Sequence, residues 1–179
     1  MQGDQVERIA QLLYDRNEID KKIAGIIHRP MAAGHLGEWL AAEVFDLELE
    51  PSAVAVGIDG RFRSGPLAAQ AVNVKWYLKR EGLLDVSEAE VLDYYLVLAG
   101  PTAAAMGSRD TARPWCIESV HLFDARTLLA DLRARGLRVG VASSVRAAQW
   151  AASEIYPREN AALPLNAGQR RLLGLFAPA

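Results

Sequence analysis

Glu38, Asp59 and Lys75 are the residues of this chain whose types and order could do chemistry together. Asp59 closes an apolar run, Ala53-Val54-Ala55-Val56-Gly57-Ile58. A carboxylate at the end of a buried strand is costly unless it is paired, hydrogen-bonded or bound to a metal. Lys75 lies in Val72-Asn73-Val74-Lys75-Trp76, which reads as a strand. Alternation there puts Asn73, Lys75 and Tyr77 on one face and Val72, Val74 and Trp76 on the other. A lysine held near a sheet can orient a water and stabilise charge on a pentavalent phosphorane. Glu38 sits early on a helical stretch that is otherwise nearly all apolar. Mg²⁺ takes hard oxygen ligands, few of them from the protein. Asp59, a neighbouring carbonyl such as that of Val74, and one more oxygen would suffice to hold it. The chemistry implied is metal-assisted hydrolysis of a phosphodiester.

Each residue also has a plainer role open to it. Asp59-Gly60 is a hairpin signal, so Asp59 could be a turn residue. Glu38 could serve only as a favourable charge near a helix start, and Glu43 competes with it for any functional role. The face carrying Lys75 either meets water or lines a cleft. Other patterns carry less. Arg138 to Ser144 has the shape of a strand ending in a phosphatase serine, but no Asp-x-Asp nucleophile motif precedes it; Ser143 or Ser144 reads instead as a helix cap. Arg61-Phe62-Arg63-Ser64-Gly65 lacks the Gly-Lys-Ser/Thr of a P-loop. His28, His35 and His121 show no metal-ligand spacing.

The elements that must position these residues follow from periodicity and breakers. Residues 4–28 read as one helix, capped by Asp4 and ended by Arg29-Pro30. Its seam of Ile9, Leu12, Ile19, Ile23 and Ile26, interrupted at Arg16, suits packing on another helix, of its own domain or of a second copy. A second helix runs from His35 to Asp46 and is apolar nearly all round, as a buried helix would be. Strands are expected near 53–59 and 70–78, over 93–99, within 115–123 and over 138–142. Helices are expected from Asp124 to Arg135, closed by Gly136, and from Ser143 or Ser144 to about Tyr156. The organisation is an N-terminal helix (1–30), an α/β core (31–156) and a tail (157–179).

Gly34-x-x-Gly37-Glu38, Gly57-Ile58-Asp59 and Asn73-Val74-Lys75 together resemble the PD-(D/E)XK nuclease superfamily, which includes many restriction endonucleases. The resemblance covers roughly residues 33–142 and implies a core of helix, three strands, helix and strand. It implies a restriction-endonuclease-like α/β fold: a central mixed β-sheet flanked by helices, here with an added long N-terminal helix. It also implies that Glu38, Asp59, Asn73 and Lys75 act in Mg²⁺-dependent cleavage of nucleic acid. The family's second acid is Asn73 here; an amide oxygen ligates Mg²⁺ without adding charge. Either Glu38 compensates, or another acid such as Glu118 reaches in, or the site binds without cleaving. Arg61, Arg63, Lys79 and Arg80 flank the two site strands as candidate phosphate contacts.

Bulk properties set the limits. The net charge of −2 excludes a global basic field, so nucleic-acid binding needs a local patch. The single cysteine, Cys116, excludes an intrachain disulfide and a Cys-rich zinc site. A polar, acidic N-terminus and the lack of a ~20-residue apolar run point to a cytoplasmic protein without a membrane partner. The helix 4–28 makes a homodimer a further expectation.

Overall fold

The computed structural model describes residues 2–51, 57–88, 91–102 and 113–178. The chain begins with α1 (Gln2–Ile27), turns through His28 at a φ of 54°, and re-enters a helix as α2 (Ala33–Phe45). Asp46 ends α2 in the left-handed conformation and returns its N–H to Ala42, an αL closure that Asp tolerates better than most residues. Strands β1 (Leu47–Leu49), β2 (Gly60–Phe62) and β3 (Ala71–Tyr77) follow. Then come β4 (Leu83–Leu84), β5 (Tyr94–Ala99), β6 (Ser119–Asp124) and α3 (Ala125–Ala134). The chain closes with β7 (Ser143–Ser144), α4 (Ala147–Ser153), β8 (Glu154–Tyr156) and α5 (Ala167–Gly174).

Six strands form one mixed sheet in the order β1-β2-β3-β5-β6-β8. All neighbours are antiparallel except β3 and β5, which run parallel with Val72 opposite Tyr94 and Lys75 opposite Val97. Strand β5 reads Tyr-Tyr-Leu-Val-Leu-Ala and is buried from Tyr95 onward. A strand covered on both faces has no reason to alternate. On one face α2 packs Leu40, Val44 and Phe45 over Val72, Val74 and Trp76. Gly37 permits this approach: a methyl at its Cα would lie 3.1 Å from Trp76 Cβ. On the other face Tyr95, Val97 and Phe123 pack with Leu128 and Leu132 of α3 and Trp150 of α4.

The architecture is therefore mixed α/β, with a six-stranded sheet flanked by helices and a long N-terminal helix. Among the described residues no helix is long and apolar enough to cross a membrane.

Several expectations need correction. Most of the strand expected over 53–59 lies outside the described residues; its described end, 57–59, is not strand, and the pairing with β3 begins at Gly60. Residues 138–142 form no strand. Gly140 takes a φ of 143° and Ala142 a φ of 57°, so the segment turns, and Ser143–Ser144 pair with Leu83–Leu84 instead. Neither serine caps α4: Arg146 does, with Gln149. The tail is not without order, since Asn166 caps α5 through Gln169 and Leu173 is fully buried against the α2 side of the core. The helix α1 does not dock along its own domain; of its seam only Ile23 is partly covered.

Candidate active site

Asp59 is positioned by the hairpin it introduces. Its N–H donates to the carbonyl of Val72, and Val74 N–H donates 2.7 Å to its Oδ2. The carboxylate thus lies against the free edge of β3, in the plane of the sheet. From there it is accessible to groups on both faces. Burial pushes the Asp59 carboxyl above the ordinary carboxylate range; the hydrogen bond from Val74 opposes this, the charge of Glu38 adds to it, and Lys75 and Arg29 oppose it. One carboxylate therefore senses Glu38 from α2, Lys75 from β3 and Arg29 from the α1–α2 joint. These are the acid, acid and lysine singled out from the sequence, with one cation more.

Glu38 projects from the first half of α2, one turn beyond Gly34. Arg29 holds it in an ion pair, with 19% of the Glu38 side chain exposed. Of the four charged groups, Arg29 and Glu38 form an ion pair, and Asp59 bonds the β3 backbone at Val74. Arg29 was read from the sequence only as the stop of a helix. No periodicity links it to Glu38; the link is made by the left-handed turn at His28.

Asn73 lies beside Val74 on β3, on the same face as Lys75. It is 6% exposed, and its Oδ1 has no hydrogen-bond partner among the described residues. A buried acceptor without a donor costs on the order of 1–3 kcal/mol unless something outside the chain satisfies it. This corrects the expectation of a polar strand face in water or lining a cleft: Asn73 is enclosed, and Tyr77 packs at the second core.

An orphaned amide oxygen, two carboxylates and the strand carbonyls are all hard oxygen donors, which suits Mg²⁺. Asp59, at the strand's edge, could share an ion with Glu38 on the α2 face of β3 or with Asn73 on the opposite face, but Glu38 and Asn73 do not converge on one ion. Arg29 already pairs with Glu38, so an ion that uses Glu38 would be held weakly. No cluster of three or more His, Cys, Asp or Glu among the described residues could hold a metal.

The remaining candidates separate. Glu118 does not join the site; it accepts from Thr102 N–H. His35 binds the carbonyl of Pro30. Arg61 donates to the Ala69 carbonyl and pairs loosely with Glu50 at 3.9 Å. Arg63 is exposed. Lys79 pairs with Glu81 at 2.8 Å, and Arg80 bonds Thr102 while its guanidinium lies 5.6 Å from the Trp150 ring centre. Arg61 and Arg63, on the β2 side, are the freer pair for a phosphate. No protein-family model matches this chain, and no curated protein matches it, so the chemistry of the site rests on its own residues.

Proposed function

We propose that this protein is a metal-dependent phosphodiesterase of endonuclease type acting on nucleic acid, built on a restriction-endonuclease-like core. The observation that carries the reading is Asp59: a half-buried carboxylate anchored on the β3 backbone, raised in pKa by burial and near enough to Glu38 and Lys75 for both charges to bear on it. The element order supports the resemblance. Helix α2 leads into three antiparallel strands, β1, β2 and β3, and a fourth strand, β5, runs parallel to the third. The helix that the family places before that fourth strand has no counterpart among the described residues between β3 and β5.

In this reading Arg61 and Arg63 bind the flanking phosphates. Lys75 donates to the attacking water and to the charge that develops on phosphorus. Asp59 and Glu38 orient that water; Asp59, with Glu38 on the α2 face or Asn73 on the Lys75 face of β3, would hold Mg²⁺. The ion, when bound, supplies Lewis acidity at the phosphoryl oxygen and a more acidic water. Attack at phosphorus breaks one P–O ester bond and leaves a phosphomonoester and an alcohol. For this to proceed Glu38 must exchange Arg29 for the ion.

The Arg29–Glu38 pair also favours a second reading, in which the site has become a self-neutralised binding surface that no longer cleaves. Incubation with single-stranded, duplex and branched DNA and RNA in Mg²⁺, with and without EDTA, separates the two. EDTA-sensitive cleavage of any of these substrates supports the nuclease. Retention of a nucleic acid without cleavage supports the binding protein.

A further inference from the structure

Helix α1 is about 39 Å long by its rise of 1.5 Å per residue, and it stands off the domain. Val6, Ile9, Leu12, Leu13, Ile19 and Ile26 are each more than half exposed, and only at Ile27 does the helix become buried. With about 100 Å² of exposed surface on each of these six side chains, two such helices would bury roughly 1,200 Å², the lower end of a specific interface. We infer that the occupant of this face is α1 of a second copy of the chain, lying antiparallel.

The charges choose both partner and direction. Arg16 falls on the seam, one heptad from Ile9 and Ile23. In a parallel pair the two copies of Arg16 would meet each other, and Asp15 of one helix would face Asp20 of the other; both contacts are repulsive. In the antiparallel register Ile9 lies opposite Ile26 of the second copy and Leu12 opposite Ile23. Arg16 then meets Ile19, laying its methylenes on an apolar side chain while its guanidinium stays with Asp20, 3.5 Å away on its own helix. Asp15 flanks Lys22 of the second copy, and by symmetry the attraction occurs twice. Every seam residue finds a partner, and no like charges are forced together. This inference does not depend on the nuclease reading, because none of these residues belongs to the site.

Light scattering on the full chain, with cysteine cross-linking, tests it. At about 100 μM, well above a micromolar Kd, the protein should have twice its chain mass. Ile19→Asp should return it to a monomer with an unchanged melting temperature, since Ile19 touches no core. Ile9→Cys and Ile26→Cys should each fail to cross-link with themselves, whereas an equimolar mixture of the two should give a covalent dimer; the native Cys116 is buried and stays silent. A wild-type monomer at that concentration overturns the inference. So does a dimer that survives Ile19→Asp, or self-cross-linking of either single variant.

Discussion

Asn73 decides how strongly the site can hold a cation. Its buried Oδ1 has no donor among the described residues, and a carboxylate there would add a second negative charge beside Asp59. Asn73→Asp should tighten Mg²⁺ by about tenfold, since ligand charge count is a main determinant of affinity at oxygen sites; calorimetry on the two proteins measures it. Equal affinities would remove Asn73 from the ligand set. A second residue-scale prediction concerns His121, which is fully buried between Ser119 and the Trp150 carbonyl. Burial lowers its pKa to about 4, helped by the charge of Arg80 and opposed by the bond to Trp150. The unfolded chain therefore takes up a proton near pH 6.5 that the folded chain refuses until about pH 4. Stability should be insensitive to His121 above pH 6.5 and fall by about 3 kcal/mol as pH drops through that window. Asp59 acts with the opposite sign, because a raised carboxyl pKa favours the folded state as the pH falls. An imidazole NMR titration isolates the histidine, and a His121 midpoint above 6 would contradict the account.

At the scale of elements, the contact between α2 and β3 sets the site, because it places Glu38 over the strand that anchors Asp59. Gly37→Ala gains about 1 kcal/mol of helix propensity but drives a methyl to 3.1 Å from Trp76 Cβ. That carbon is fixed to the strand backbone and cannot rotate away. Overpacking of 1–3 kcal/mol should win, lowering the melting temperature by about 2–4 °C; a higher melting temperature would mean that α2 shifts freely. The elements legible in the sequence were α1 and α2 by helical pattern, β3 and β5 as runs of strand-forming residues, and α3 by its cap, Asp124 accepting from Thr127 N–H; Asp4, expected to cap α1, lies inside its first turn. Most of the missed ones are short strands: β1, β2 and β8 have three residues and β4 and β7 two, too few for a period, and they exist because neighbours pair with them. The eight-residue α5 was missed as well, although Asn166 and Gln169 form a capping box at its start. The apolar Arg138–Ala142 run looked like a strand, yet Gly140 and Ala142 both adopt positive φ. Within the site, residue types and order pointed to Asp59, Lys75 and Glu38. Arg29 stayed hidden because its approach to Glu38 depends on a turn, and the enclosure of Asn73 depends on a second core that covers its face of β3.

At the scale of the molecule, an acidic chain places a few charges around β3, inside a mixed sheet, and leaves a long amphipathic helix free to associate. The central claim is that this group around β3 is catalytic, and Lys75 tests it most directly. Lys75 is partly exposed and belongs to neither hydrophobic core, so Lys75→Ala should fold with a melting temperature close to wild type. The decisive measurement is the rate of Mg²⁺-dependent nucleic-acid cleavage by wild type and Lys75→Ala, purified side by side. The account predicts EDTA-sensitive cleavage by wild type and a loss of at least about 100-fold, the scale of removing one preorganised charge-stabilising donor, in the folded variant. Cleavage by Lys75→Ala at the wild-type rate would contradict it.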